Sequence, residues 1–169
     1  MTMKELESCI EDYGKDIYNF CLYLTREKEL AEDLYQDTFL TAIRKHRYID
    51  DATAKGYLLS ISIGLWKNIK RKTAWRNRIA PMEQLDITEQ MLLYTGNDTV
   101  LEDEKKRMIR NAIQRLSDKY RIVILLFYME ELSQEEIAVV LHIPVGTVKS
   151  RLYTAKQLLK SELEEYFCE

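Results

Sequence analysis

The chain has 169 residues and a mass of 20.1 kDa, with 46% hydrophobic and 31% charged residues, enough for one compact domain or two small ones. Five glycines and two prolines are too few turn formers for a β-sandwich or barrel. The longest apolar run, Ile122 to Met129, falls far short of the roughly 20 residues a membrane span needs.

The first residues lack the basic, apolar and small-residue order of a signal peptide. Cys9, Cys21 and Cys168 are odd in number and widely spaced, so reduced thiols in a cytoplasmic protein are expected, with their redox role open. Net charge is −3, but it is distributed in blocks. Residues 1–43 carry 4 basic and 10 acidic side chains, residues 44–78 carry 10 and 2, and residues 79–104 carry none and 7. Residues 145–160 carry 4 basic side chains and no acid. Two basic segments thus lie inside an acidic chain. Each is either a solvated helix face or a surface for a phosphate backbone.

Leu6, Ile10, Tyr13, Ile17, Phe20 and Leu24 recur at helical spacing and predict a first helix with one apolar face. Thr25 is placed to cap a second helix, which would bury Leu30, Leu34, Ala42 and Ile43. Tyr48 to Thr53 reads as a loop. A third helix is predicted from Lys55, with Leu58, Ile61, Leu65 and Ile69 on one side and Gly64 in its middle. Residues 79–98, with Pro81, Gly96 and Asn97, read as a linker, with room for a short helix near Thr88 to Leu93. Thr99 to Glu102 reads as a capping box opening a helix with Met108, Ile109, Ala112, Ile113 and Leu116. Ser117 can cap the next, which holds Ile122, Val123, Leu125 and Leu126.

The strongest local pattern follows. Ser133-Gln-Glu-Glu136 is a second capping box, opening a helix that stops at His142-Ile-Pro144. Another helix is predicted at once, from Val145 to about Glu164. Two helices across so short a turn form a helix-turn-helix. At 100° per residue, Val148, Leu152, Ala155 and Leu159 share one face. Gly146, Ser150, Tyr153 and Gln157 point away, Thr147 and Thr154 lie beside them, and Lys149, Arg151 and Lys156 flank the strip. Such an arrangement reads base edges with short polar groups and grips phosphates with its cations.

The strings Glu131-Leu-Ser-Gln-Glu-Glu-Ile-Ala138 and Gly146-Thr-Val-Lys-Ser-Arg-Leu152, followed by Ala155 and Leu158, resemble region four of bacterial sigma factors. Ala31-Glu-Asp-Leu-Tyr-Gln-Asp-Thr-Phe-Leu40 is similar to the polymerase-binding part of region two. Tyr57-Leu58, Ile61 and Lys70-Arg-Lys72 resemble its end, which binds and melts the −10 element. The short length, with only a linker between the blocks, resembles the extracytoplasmic-function group. Three departures, Tyr57 for a common Trp, Gly64 for a common Asn and Trp66 for a small residue, bear on the −10 sequence preference and not on the general role.

The resemblance implies an all-α chain of two small helical domains joined by an acidic linker. Region two would span 1–78, the linker 79–104 and region four 105–169. It implies a non-enzymatic factor that binds core RNA polymerase through its β′ and β subunits, recognises −35 and −10 promoter elements, needs no cofactor and is held by an anti-sigma protein. Asp33, Gln36, Asp37, Phe39 and Leu40 would dock on a β′ coiled coil, the apolar members being alternatively core. Tyr48, Lys55, Tyr57, Trp66, Lys67, Lys70, Arg71 and Lys72 would hold −10 DNA. The loop Tyr48 to Ala54 would pocket a flipped base, and basic residues interleaved with aromatics, Trp75 among them, suit single-stranded DNA. For Tyr57 and Trp66, core packing is the other reading. Thr147, Lys149, Ser150, Arg151, Tyr153, Thr154 and Lys156 would contact −35 DNA. The linker would run toward the polymerase active-site and RNA-exit channels as an acidic mimic of nucleic acid, or is merely solvated. A stand-alone helix-turn-helix regulator is the alternative. No Gly-rich phosphate loop or nucleophile set is apparent, and His46 and His142 lack paired metal ligands.

Overall fold

The computed structural model describes residues 3–45, 51–80 and 104–167. Tyr48, His46, Cys168, the 81–103 part of the linker and the Thr99 capping box lie outside them, as do residues 48–50 of the loop expected over Tyr48 to Ala54, whose residues 51–54 are instead the start of a helix. Seven α-helices and one π-helical turn make up the described structure, with no strand among the described residues. The chain divides into two compact units, one within residues 1–94 and one within 95–169.

In the first unit, α1 (Met3–Thr25), α2 (Lys28–Arg44) and α3 (Asp51–Ile79) pack pairwise against one another. The core is built from Ile17, Phe20, Cys21 and Leu24 of α1, Ala31 and Leu34 of α2, and Leu58 and Leu59 of α3, all fully buried. Cys9 and Cys21 are both buried, twelve residues apart on α1. Ile10, expected inward, is exposed. Gly14 lets α2 approach closely, because a Cβ there would stand 3.0 Å from the Tyr35 hydroxyl oxygen. The Tyr35 ring meets Tyr18 and Phe39 edge to face, at 5.7 and 5.0 Å between centroids. Burial raises the Tyr35 hydroxyl pKa, and Cys21 adds to the effect.

Helix boundaries depart from the sequence expectation in two places. Thr25 closes α1 instead of capping α2: its hydroxyl donates to the Cys21 carbonyl at 2.8 Å, and Glu27 is the N-cap of α2 without a side-chain bond. The chain turns there through Arg26, at φ 62°. α3 begins at Asp51, ahead of Lys55. From Arg71 to Ala80 every side chain of the α3 end is exposed, so this stretch has no core face at all.

In the second unit, α4 (Glu104–Arg115), α5 (Asp118–Ile124) and α6 (Gln134–Leu141) surround α7 (Val145–Phe167). Ser117 is the N-cap of α5, but its side chain makes no capping bond. α5 runs on into a π-helical turn, Leu125–Met129, marked by the Glu130 N–H donating to the Leu125 carbonyl at 3.1 Å. Ile122 to Leu126, Ile137, Val148, Leu152 and Ala155 form the core. Arg121 is 1% exposed among them and is held by the Leu116 carbonyl at 3.2 Å and Asp118 at 2.8 Å. Ile109, expected on the apolar face of α4, is exposed.

Candidate functional sites

The α6–α7 pair is positioned by its ends. Ser133 Oγ accepts from the Glu136 N–H at 3.2 Å, and the Glu136 carboxylate accepts from the Ser133 N–H at 2.7 Å, the capping box read from the sequence. The bond from the Ser133 backbone, then that with its hydroxyl, holds the Glu136 pKa below the ordinary glutamate value. α6 ends on His142 in the left-handed region, φ 54° and ψ 44°. The Ile143 N–H returns to the Ala138 carbonyl at 3.1 Å, which satisfies the helix end. The Pro144 carbonyl then accepts from the N–H groups of Thr147 and Val148, and α7 starts without a longer loop.

Along α7, Val148, Leu152 and Ala155 are buried, while Gly146, Ser150, Tyr153 and Gln157 are exposed. The outward strip is therefore the one projected from the sequence. Tyr153 is 68% exposed. The Ser150 hydroxyl donates to the Thr147 carbonyl at 3.0 Å, so its donor is engaged within the helix. Thr147, Arg151 and Thr154 are half-buried, and Lys149 and Lys156 are exposed. A Cβ on Gly146 would meet nothing within 4 Å. The start of α7 thus presents bare backbone to whatever approaches it.

On α2, Asp33, Gln36, Asp37 and Leu40 are all exposed. Steps of three and four put them on one stripe. Phe39 does not join them: it is 5% exposed and packs on Tyr35. It lies about 100° round the helix from Leu40, and that turn takes it into the core.

The α3 surface separates the nominated −10 residues. Lys55 is ion-paired with Asp16 of α1 at 3.0 Å. Tyr57 is half-buried, and its hydroxyl oxygen is enclosed without a hydrogen-bond partner among the described residues. Trp66 is core, 4% exposed, not an open stacking surface. The Lys70 ammonium lies 5.2 Å from its ring centroid. Lys67, Lys70, Arg71 and Lys72 are exposed, with Arg71 donating to the Asn68 side-chain oxygen at 2.6 Å. The open aromatic of this helix is Trp75, 64% exposed, in a shallow cleft lined by Arg71, Lys72 and Arg76. Sequence reasoning did not find the Asp16 partner of Lys55. Nor did it find the Phe127–Tyr128 pair over which Lys156 lies. Neither relationship leaves a sequence signal, because both join separate helices. Among the described residues no group of His, Cys, Asp or Glu is arranged to hold a metal. None of the described helices is long and apolar enough to cross a membrane.

Two family models match the chain in order. Residues 9–76 match "Sigma-70 region 2" and residues 106–159 match "Sigma-70, region 4". The chain is 30% identical to the ECF RNA polymerase sigma factor SigM of Bacillus subtilis over 162 residues, covering 95% of this chain and 94% of SigM. It is 31% identical to SigW of the same organism, covering 92% and 87%. Among solved structures, it is similar to the sigma factor RpoE from Bartonella quintana, crystallised with the anti-sigma factor NepR. The TM-score there is 0.78 and the identity 21%, with 96% and 98% of the two chains covered. The α2 stripe and the basic α3 surface lie within the region 2 match and the helix-turn-helix within the region 4 match, and the alignment with SigM runs nearly end to end: the chain belongs to the ECF family of RNA polymerase sigma factors.

Proposed function

We propose that this sigma factor reads promoters with two surfaces and holds polymerase with a third. Thr147, Lys149, Ser150, Arg151, Tyr153, Thr154 and Lys156 meet the −35 element in the major groove. Lys55, Lys67, Lys70, Arg71 and Lys72 hold −10 DNA, with Tyr48, Tyr57 and the exposed Trp75 as the aromatic candidates for unpaired bases. Asp33, Gln36, Asp37 and Leu40 dock on the β′ subunit of core polymerase. In this reading residues 1–78 and 105–169 are the two functional domains, and 79–104 link them. The observation that carries it is the α7 strip, where exposed Ser150 and half-buried Thr147 and Thr154 lie between cations over a core-facing Val148, Leu152 and Ala155.

The factor works by binding alone. Attraction to the separated strand offsets the stacking lost when the duplex opens, so no catalytic group or cofactor is required. Its site of action is the cytoplasm, with the polymerase. An anti-sigma protein holds it inactive by covering these faces. Two observations support this: exposed Leu40, Tyr153 and Val139 on the helices concerned, and a solved relative bound to such a protein. Native pull-downs from unstressed cells that recover polymerase but no inhibitor would overturn that part.

The decisive experiment mixes the full chain with bacterial core polymerase and fragmented genomic DNA from its source, then sequences the run-off transcripts. Discrete starts sharing −35 and −10 elements, absent without the protein, are expected. Tight binding of duplex DNA in a gel shift without polymerase, together with no core binding, would replace this reading with a stand-alone regulator.

A further inference from the structure

We propose that Phe127 and Tyr128 form an aromatic cradle that positions Lys156 for a promoter phosphate. The inference rests on the reading of α7 as the −35 helix. The Lys156 ammonium lies 5.3 Å from the Phe127 ring centroid and 5.7 Å from that of Tyr128. The two rings meet edge to face, 5.0 Å apart at 80°. Both distances fall within the range at which a ring quadrupole attracts a cation.

The backbone explains how neighbours in sequence serve one cation. Successive side chains on an α-helix diverge by about 100°. Phe127 and Tyr128 lie inside the π-helical turn Leu125–Met129. A π turn closes its hydrogen bond one residue later, so it holds more residues per turn and successive side chains diverge less. Both rings thereby reach α7. The turn is closed by the Glu130 and Leu132 N–H groups, each donating at 3.1 Å to the Leu125 and Leu126 carbonyls respectively, with Glu131 in the left-handed region at φ 56°. Tyr128 remains 57% exposed, so burial does not account for its placement.

An unrestrained lysine loses rotamer freedom when it fixes on a phosphate. One already resting on two rings loses less, and contact with a phosphate leaves the ring faces in place. Phe127 and Tyr128 are positioning residues acting through Lys156.

The test uses the full chain with core polymerase on a promoter fragment recovered by run-off selection. Affinity and its salt dependence are read by anisotropy. Lys156→Met is expected to lower the slope of log affinity against log salt by about 0.9. Tyr128→Leu is expected to weaken binding about two- to fivefold, Tyr128→Phe to restore it, and Tyr128→Leu to add nothing in the Lys156→Met background. An unchanged slope in Lys156→Met overturns the phosphate contact itself, and with it the reading of that residue. A normal Lys156→Met loss, with a Tyr128→Leu effect that persists in that background or is absent altogether, overturns the positioning alone. In the free chain, the Lys156 ε-methylene protons should be shifted upfield by the rings. Shifts at the unstructured value would overturn the cradle without reference to DNA.

Discussion

The Thr38 and Ser62 hydroxyl oxygens lie 3.0 Å apart in the core, joining α2 to α3. Both residues are fully buried. Each hydroxyl is also within bonding range of the carbonyl one turn back, Leu34 at 2.7 Å and Ser62's Leu58 at 2.9 Å. Removing one hydroxyl takes away the other's cross-helix partner and leaves it only the carbonyl of its own helix. Thr38→Val and Ser62→Ala should each cost about 1–2 kcal/mol, and the double variant clearly less than their sum. Urea unfolding of the first unit measures this. Strict additivity would mean that the two hydroxyls serve only their own helices.

The capping box should make the second unit sensitive to acid. The folded Glu136 pKa is depressed, so its contribution is complete above the unfolded glutamate pKa. That contribution is lost as pH falls through the folded value. Glu136→Gln should therefore flatten the acid limb of the stability curve, and Ser133→Ala should cost about 1 kcal/mol at neutral pH. Thermal unfolding across the acid range, followed by near-ultraviolet circular dichroism, distinguishes the two.

Gly64 and Gly146 face open space in the same sense, with nothing within 4 Å of a built Cβ. Gly64 lies in the middle of α3, so Gly64→Ala should stabilise the free chain by about 1 kcal/mol. Gly146→Ala, in the first turn of α7, should leave stability nearly unchanged. If DNA approaches the α7 backbone there, the same substitution should weaken −35 binding at least tenfold in a footprint with polymerase. Equal occupancy would show that the ligand does not come near this turn.

Asp16 competes with DNA for Lys55 if Lys55 is a −10 contact, because the two form an ion pair at 3.0 Å with half of Asp16 exposed. A pair of this kind contributes about 0–1 kcal/mol. Asp16→Asn should then tighten holoenzyme binding to a forked −10 probe by up to about fivefold, with the gain shrinking at high salt. A loss of affinity would place Asp16 on the structural side of the pair.

Asp37→Arg reverses charge on the exposed α2 stripe without touching the core. It should weaken binding to core polymerase by tenfold or more while leaving the melting temperature within a few degrees. Phe39→Ala should do the opposite, costing about 3–5 kcal/mol of stability because the ring is buried. Titration of labelled protein with core polymerase, beside a thermal melt, tests both.

Much of the α7 site was legible because one helix carries it: a 100° projection places Val148 inward and Tyr153 outward without knowledge of any neighbour. The capping box at Ser133 was equally local. What escaped depended on partners from other helices. Phe39 and Leu40 are adjacent and equally apolar, and only which side of α2 the neighbouring helices cover sends one inside and leaves the other out. Trp66 and Trp75 pose the same problem along α3: the three-helix core reaches Trp66 and ends before Trp75. Thr25 misled because its hydroxyl had two possible services, and bonding back to Cys21 prevailed over capping forward.

The end of α3 has a thermodynamic consequence. Arg71, Lys72, Arg76 and Arg78 are wound on a helix that continues from a packed segment but has no core beneath it. Propagation from the packed part avoids the cost of nucleation, yet repulsion among four cations and an uncovered Trp75 keep its winding close to balance. Backbone amides there should exchange with solvent far faster than those around Leu58. Neutralisation by a phosphate chain would lock the winding, so part of the heat released on binding DNA would be heat of helix formation. The charge spacing that DNA meets would then be completed by the DNA.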